Sequence, residues 1–373
     1  MKKSTSLLVT TLALIFCAAV SFAVWRSFAS RDSSRSELLG ALLRDMPANT
    51  SGVLYVDVAQ LRQSTFTQKL FAWAPKPQAD ADYTRFVQDT GFDYERNLDR
   101  VAFAAAKSGS QSLWFVIADG IFDQKKIAAY LAKIGATQKR GGRDTYSIPT
   151  NLPASAGNIA NSAGSQILLT FLSGNRIAAT NDADLSVYLD QKNSVPDPAQ
   201  WRTRFARLAG SPVFVVVRQN GDTASVLAAQ TPGGFQSPQL SALLAQLSWL
   251  TLAAQPQNES LRIVAEGETA SDTVAGQLTD MLNGVVILAQ TGLNSAKTTQ
   301  QLDPQMRAAY LELLKSADIT RLDREDLKAV RVVFDVTQNF LNAATAPKPN
   351  PPAPASTTAL PKQLAKKRPI TVR

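Results

Sequence analysis

The chain contains no histidine and only one cysteine, Cys17, among its 373 residues. Without histidine no Ser-His-Asp or Cys-His catalytic arrangement can form, and no imidazole can bind zinc or act as a base near neutral pH. A single cysteine excludes disulfide bonds within the chain, iron–sulfur clusters and thiolate zinc sites. We therefore expect neither a metal nor a cofactor, and the composition favours a protein that is not an enzyme.

The positive charge of the chain lies mainly at its two ends. The net charge is +9, of which residues 1–40 carry +3 and residues 344–373 carry +6, so residues 41–343 have none. A folded surface that binds nucleic acid normally leaves an excess of basic residues in its own domain. This distribution therefore argues against nucleic acid as the partner.

Residues 1–26 have the form of an export signal. Two lysines precede the uncharged run Leu7–Trp25, and Arg26 follows it. The run is 19 residues long, close to the ~20 that a membrane-spanning helix needs. This length favours an uncleaved signal anchor in the inner (cytoplasmic) membrane, with a single pass and the bulk of the chain on the extracytoplasmic side.

A cleaved signal peptide is the alternative. Ser21 and Ala23 are small residues at the positions that a signal peptidase reads, so cleavage after Ala23 would release a periplasmic or secreted protein. Residues 27–45 then form a polar juxtamembrane segment that becomes amphipathic towards its end. Both outcomes place the remaining chain outside the cytoplasm.

The central part of the chain predicts an α+β fold. Short apolar segments rich in β-branched residues come in pairs separated by turn residues, which indicates hairpins of antiparallel sheet. Amphipathic helices follow these hairpins, and we expect them to pack on one face of the sheet. The predicted domains are 46–195 and 199–344, with a linker rich in proline between them.

The two predicted domains also share a sequence pattern. The segments Leu113–Gly120 and Ser260–Gly267 both read as an apolar strand, an acidic residue and a glycine before a helix, at a spacing of 147 residues. This correspondence predicts an internal duplication of one α+β unit.

One segment carries a resemblance to known sequences. It consists of Met-Pro-Ala-Asn-Thr at 46–50, the strand from Gly52 ending in Asp57 and leading to Leu61-Arg62, and a Gly-Phe-Asp turn at 91–93 before the next strand. Over residues 46–101 the chain resembles uncharacterised bacterial exported proteins anchored in the membrane. The resemblance implies an anchored α+β domain and brings no known activity or site residue.

No recognised catalytic or phosphate-binding motif occurs in the sequence. Gly-x-Ser-x-Gly, Ser-x-x-Lys, Gly-x-Gly-x-x-Gly and the P-loop are all missing. Asp57 and Asp93 are interpreted as helix or turn caps rather than catalytic carboxylates. The one compact basic cluster before residue 345, formed by Lys139, Arg140 and Arg143, could contact an anion or could simply form a turn.

Residues 345–373 predict a disordered tail. The segment holds seven prolines and no acidic residue, so it cannot build an apolar core. Its basic residues could tether the protein to an anionic envelope polymer, to a protein partner or to headgroups, or could serve only as a soluble end; these residues are Lys362, Lys366, Lys367 and Arg368.

The sequence leaves three functional hypotheses. The favoured one is a non-catalytic binding or scaffold module of the cell envelope, since no catalytic motif is present. The alternatives are a hydrolase that uses converging Asp and Glu side chains on an envelope polymer, and a carrier of a lipid-like ligand. The oligomeric state has no signature in the sequence.

Overall fold

A computed structural model describes a large part of the chain, and the account of the structure is confined to it. The described residues are 35–73, 81–108, 111–140, 142–149, 166–185, 189, 197–219, 242, 245–295, 298, 302–324 and 327–345. The predicted signal segment 1–26 and all but the first residue of the predicted tail 345–373 lie outside them.

The first half of the described chain contains six helices and seven strands. Residues 35–45 are helical and are named α1. The elements that follow are β1 (Thr50–Asp57), α2 (Val58–Arg62), α3 (Thr65–Trp73), α4 (Ala81–Thr90), α5 (Tyr94–Asn97), β2 (Leu98–Ser108), β3 (Gln111–Gly120), α6 (Gln124–Ile134), β4 (Ala136–Arg140), β5 (Arg143–Pro149), β6 (Gln166–Ser173) and β7 (Arg176–Thr180).

The second half of the described chain contains four helices and five strands. These are α7 (Pro198–Arg207), β8 (Val213–Arg218), β9 (Leu247–Gln257), β10 (Ser260–Thr269), α8 (Asp272–Leu293), α9 (Pro304–Lys315), β11 (Asp318–Arg324), β12 (Leu327–Thr337) and α10 (Gln338–Thr345). None of the helices in the described residues is long and apolar enough to cross a membrane.

All twelve strands form one sheet, in the order β11-β12-β10-β9-β8-β1-β2-β3-β7-β6-β5-β4. Every neighbouring pair in this order is antiparallel. The predicted α+β class with antiparallel sheet is therefore confirmed. The sheet continues from β1 to β8, so both halves contribute to a single layer of strands.

The helices lie on both faces of the sheet, so the prediction of helices on one face is wrong. Ala178 packs in one cluster with α1, whereas the adjacent Ile177 packs in another with α6. Neighbouring residues of a strand point to opposite faces. We call the side of Ala178 the front face and the side of Ile177 the back face. On the back face the apolar clusters lie towards the two ends of the sheet, one under α6 and one under α8.

The largest apolar core lies on the front face, where α1 and α7 cover the middle of the sheet. Leu38 and Leu42 of α1 are fully buried, as is Trp201 of α7. At the centre, Tyr55 of β1 pairs directly with Phe214 of β8, and their rings stack with centroids 5.0 Å apart. The predicted juxtamembrane segment therefore supplies part of the main core.

The two halves place their elements in the same order. In the first half the front-face helix α1 precedes β1, β2 and β3, the back-face helix α6 follows, and the last strand β7 lies beside β3. In the second half α7 precedes β8, β9 and β10, the back-face helix α8 follows, and the last strand β12 lies beside β10. The predicted matching segments Leu113–Gly120 and Ser260–Gly267 lie in β3 and β10, which occupy corresponding positions in this order.

We predict that the contact of α1 with the sheet is essential to stability. Leu42→Ala removes a fully buried side chain and should lower the free energy of unfolding by about 2–5 kcal/mol. The control Leu288→Ala truncates a leucine of α8 that is 68% exposed, and its loss should stay below about 1 kcal/mol. Chemical denaturation measures both values, and equal losses would contradict the assigned position of α1.

Candidate functional site

A polar cleft of 320 Å³ lies on the front face, where one side of α1 faces the ends of strands β2, β3, β5, β6 and β7. Seven of its lining residues are ionisable, namely Arg44, Arg100, Arg143, Arg176, Glu37, Asp45 and Asp119. We call it the arginine cleft. With four arginines against three carboxylates, its lining has an excess of one positive charge.

The wall of the cleft contains a buried ion pair between neighbouring strands. Arg176 of β7 lies directly opposite Asp119 of β3 and donates two hydrogen bonds to its carboxylate, at 2.6 and 3.0 Å. A third contact, at 3.3 Å, joins Arg176 to Glu37 of α1. The hydrogen bonds with Asp119 raise the pKa of Arg176, so this guanidinium stays charged.

Asp45 lies at the end of α1 with its side chain almost fully buried. Burial raises the pKa of its carboxyl above the usual 3.8, opposed by Arg44, whose Nε lies 3.0 Å from Oδ1. The positive charges of Arg143 and Arg176 act in the same direction as Arg44. All three carboxylates of the cleft therefore have an arginine in contact.

Among the arginines of the cleft, Arg100 of β2 is largely buried and yet makes few polar contacts. Its side chain is 15% exposed, and its Nε lies 3.4 Å from Asp57 Oδ2 without hydrogen-bond geometry. Within the described part of the chain this guanidinium makes no hydrogen bond. Asp57 supplies a counter-charge but accepts no hydrogen bond from Arg100, and its other oxygen accepts from the backbone N–H of Gln60 at the start of α2. A buried cation with unused donors favours an anion.

Arg143 reaches the same cleft from the hairpin of β4 and β5. The turn passes through Gly142, whose φ of 76° is a left-handed conformation that glycine adopts without strain. Arg143 is exposed and makes no hydrogen bond or ion pair with any described residue. The predicted basic cluster therefore contains a turn and brings one arginine to a polar cleft, whereas its contact with an anion stays a prediction.

The other residues of the predicted basic cluster do not join the cleft. Lys139 lies opposite Asp144 on β5, so it faces the other side of the sheet from Arg143. The side chain of Arg140 is outside the described side chains, and the four basic tail residues are outside the described chain. Arg44, Arg100 and Arg176 were missed because they are isolated in sequence.

The structure confirms the capping interpretation of the candidate carboxylates. Asp57 caps α2, and Asp93 caps α5 by accepting from the N–H of Glu95 at 2.9 Å. The ion pair of Asp57 is with Arg100, whereas Arg62, five residues after it, binds Asp99 at 3.0 Å. In the described residues no three of the Asp, Glu and Cys side chains are grouped to hold a metal ion.

The corresponding place in the second half is filled with paired charges. Glu266 of β10 lies directly opposite Arg331 of β12 and binds it at 2.6 Å, as Asp119 binds Arg176. Two arginines of α7, Arg204 and Arg207, both bind Glu268. Burial lowers the pKa of Arg204, whose guanidinium also stacks 3.9 Å above the ring of Trp249. The open arginine cleft is lined by residues of the first half.

Comparisons with known proteins give little further information. No protein-family model matches the chain, and no curated protein matches it. Three solved crystal forms of the protein TP0453 are distantly similar. Form III is 11% identical with a TM-score of 0.43, covering 81% of this chain and 96% of TP0453; forms I and IV are 10% and 12% identical with TM-scores of 0.39 and 0.42. The likeness is too weak to bear on fold or function.

We predict that breaking the Asp119–Arg176 pair destabilises the fold far more than breaking a similar pair at the surface. Asp119→Asn leaves the buried Arg176 without its main partner and should cost about 3–5 kcal/mol of unfolding free energy. The control is Asp335→Asn, whose bidentate partner Arg262 joins the same kind of strands but is 41% exposed. The loss of unfolding free energy in Asp335→Asn should be clearly smaller, because water screens the exposed pair.

A second prediction concerns pH. Burial raises the pKa of Asp45 in the folded state, so its carboxyl favours the folded state when it is protonated. This contribution to stability is fully present below pH 3.8 and is lost as the pH rises through the folded-state pKa. The stability of Asp45→Asn relative to the natural protein should therefore increase over that window. Asp323→Asn should show the reverse trend, because Lys328 lowers the pKa of Asp323. Unfolding curves recorded at a series of pH values measure both, and parallel trends would contradict the assignment.

Proposed function

We propose that this chain is an exported, membrane-anchored binding module of the cell envelope, and that its arginine cleft binds a small anionic ligand. The observation that carries the proposal is the pair Arg100 and Arg143, two guanidinium groups at one cleft without a hydrogen bond to the described protein. Guanidinium groups bind carboxylate and phosphate in the plane of their N–H donors, which makes them the usual residues for such ligands.

The size of the cleft supports a small ligand rather than a polymer. Its 320 Å³ is at the lower end of the volumes of small-molecule sites. Ser173 and Asn175 add uncharged polar groups to the lining. A compact anion that also carries hydroxyl groups fits this combination of donors and acceptors.

Binding is favoured over hydrolysis because of the state of the carboxylates. A two-carboxylate hydrolase needs one free acid and one free base or nucleophile. In the arginine cleft Asp119 is held by Arg176 through both oxygens, and Asp45 is held by Arg44. These contacts suit a fixed charge pattern that positions a ligand.

The proposed cellular position rests on sequence. Residues 1–26 support an inner-membrane anchor with the rest of the chain on the extracytoplasmic side, with cleavage near Ala23 as the alternative. The basic tail residues, Lys362 and residues 366–368, are proposed as a tether to an anionic envelope polymer or a protein partner.

We further propose that the two halves arose by duplication of one unit. The predicted offset of 147 residues equates Asp119 with Glu266, and the strand registers then equate their partners Arg176 and Arg331. The same registers equate Tyr55 with Phe214, the aromatic pair at the centre of the sheet. Arg100 corresponds to Thr251, so the cleft arginine belongs to the first half alone.

The proposed function predicts that phosphate binding depends on Arg100 and Arg143, the two cleft arginines without a hydrogen bond to the described protein. Isothermal titration calorimetry of the full chain with inorganic phosphate should show binding that Arg143→Gln weakens about tenfold or more, since hydrogen bonds to charged groups contribute about 1.5–3 kcal/mol. Arg100→Gln should have an effect at least as large. Arg262→Gln, on the same sheet but outside the cleft, is the control and should bind as the natural protein does.

A second titration with acetate separates carboxylate from phosphate as the preferred anion. Failure of both anions to bind, or binding that neither Arg143→Gln nor Arg100→Gln weakens, would contradict the proposed function.

A further inference from the structure

A second cleft, of 350 Å³, lies between the two front-face helices α1 and α7. Its lining differs from that of the arginine cleft, since its larger part is apolar. Leu39 and Leu43 of α1 form one side and Phe205 of α7 forms the other. We call it the helix groove. It lies beside the pseudo-symmetric centre of the fold, because Arg35 on its lining stacks over both Tyr55 and Phe214.

Gly40 leaves the groove open on the α1 side. A β-carbon built at this position would meet no atom within 4 Å. Glycine inside a helix costs about 0.5–1 kcal/mol relative to alanine, so it is unfavourable unless space is needed there. The open space above Gly40 and the apolar sides together suit a flexible hydrocarbon chain.

The charges of the groove are all of one sign. Its two charged lining residues are Arg35 and Arg202, and no carboxylate lies among the residues that line it. Arg35 is fixed by hydrogen bonds to the backbone oxygens of Leu208 and Ser211. Arg202 is exposed at the edge of the groove. An apolar cleft with two positive charges is complementary to an anionic amphiphile.

The position of α1 in the chain indicates where such a ligand comes from. Eight residues, 27–34, separate the predicted anchor from the first described residue of α1. Even fully extended they span at most about 27 Å, so an anchored chain holds the groove close to the bilayer surface. We propose, resting on the membrane anchor of the proposed function, that the helix groove takes up an acyl chain of an anionic phospholipid from that membrane.

The test uses the full chain reconstituted in nanodiscs of phosphatidylglycerol that carry a photoreactive group on one acyl chain. After irradiation, mass spectrometry of the digested protein locates the labelled peptides. We expect labelling of the peptides that contain residues 35–45 and 198–209, which form the two sides of the groove. Labelling confined to residues 1–26 would overturn the proposal.

Gly40→Leu provides the decisive variant, because its side chain enters the groove. Leucine also favours the helix more than glycine does, so the fold is not weakened by the change. Labelling at the groove should fall about tenfold, the effect of losing some two buried methylene groups. Gly284→Leu is the matched control, since Gly284 of α8 is also helical and open, and it should leave labelling unchanged. Undiminished labelling in Gly40→Leu would overturn the proposal.

The headgroup part of the proposal has its own variant. Arg202→Gln should reduce the preference for phosphatidylglycerol over phosphatidylcholine about fivefold, as expected for one surface charge. An unchanged preference would refute the role of Arg202 in selecting an anionic lipid.

The same experiment distinguishes the two proposals. A chain recovered outside the nanodiscs would refute the anchor, and with it the supply of lipid from the membrane. A chain that stays in the nanodiscs without groove labelling would refute the helix groove alone and leave the anchor and the arginine cleft standing.

Discussion

The pairing of β1 with β8 is the contact on which the rest of the structure depends. It joins two halves that would each end in an exposed strand edge, and it merges their strands into one sheet of twelve. The buried pair of Tyr55 and Phe214 lies at its centre, and α1 and α7 pack over it. Both clefts follow from this arrangement. The helix groove lies between these two helices, and the arginine cleft lies where α1 covers strand ends of the first half.

The two halves differ more in the arrangement of their charged residues than in their topology. Each half buries an acid–arginine pair between its third and last sheet strands, Asp119 with Arg176 and Glu266 with Arg331. In the second half α7 adds two arginines that bind Glu268, so Glu266 and Glu268 each have an arginine in contact. In the first half the additional arginines face an open cleft. The same kind of acid–arginine pair thus lies beside further paired charges in one half and lines an open cleft in the other.

Much of the local structure could be predicted because its causes are local. Asp123 caps the start of α6 and Gly135 follows its end, and both signals are visible in sequence because capping depends on a few adjacent residues. The faces of the sheet could not be predicted in this way. Which side a helix covers depends on long-range strand order, and that order here has both sides covered. Of the arginines that line the cleft, the sequence indicated only Arg143 as a candidate, because other basic residues lie close to it in the chain.

Composition alone excluded the histidine and cysteine chemistries, and residue periodicity alone indicated antiparallel hairpins, helices and a repeated segment. The antiparallel hairpins and the helices are confirmed, because they depend on residue type and near neighbours. The repeat stays a prediction. Tertiary structure decided which charges meet. Arg44, Arg100, Arg143 and Arg176 come from four separate elements, and only the register of the sheet and the position of α1 bring them to one cleft. A candidate site of this kind is a property of packing, because its members are distant along the chain and carry no shared motif.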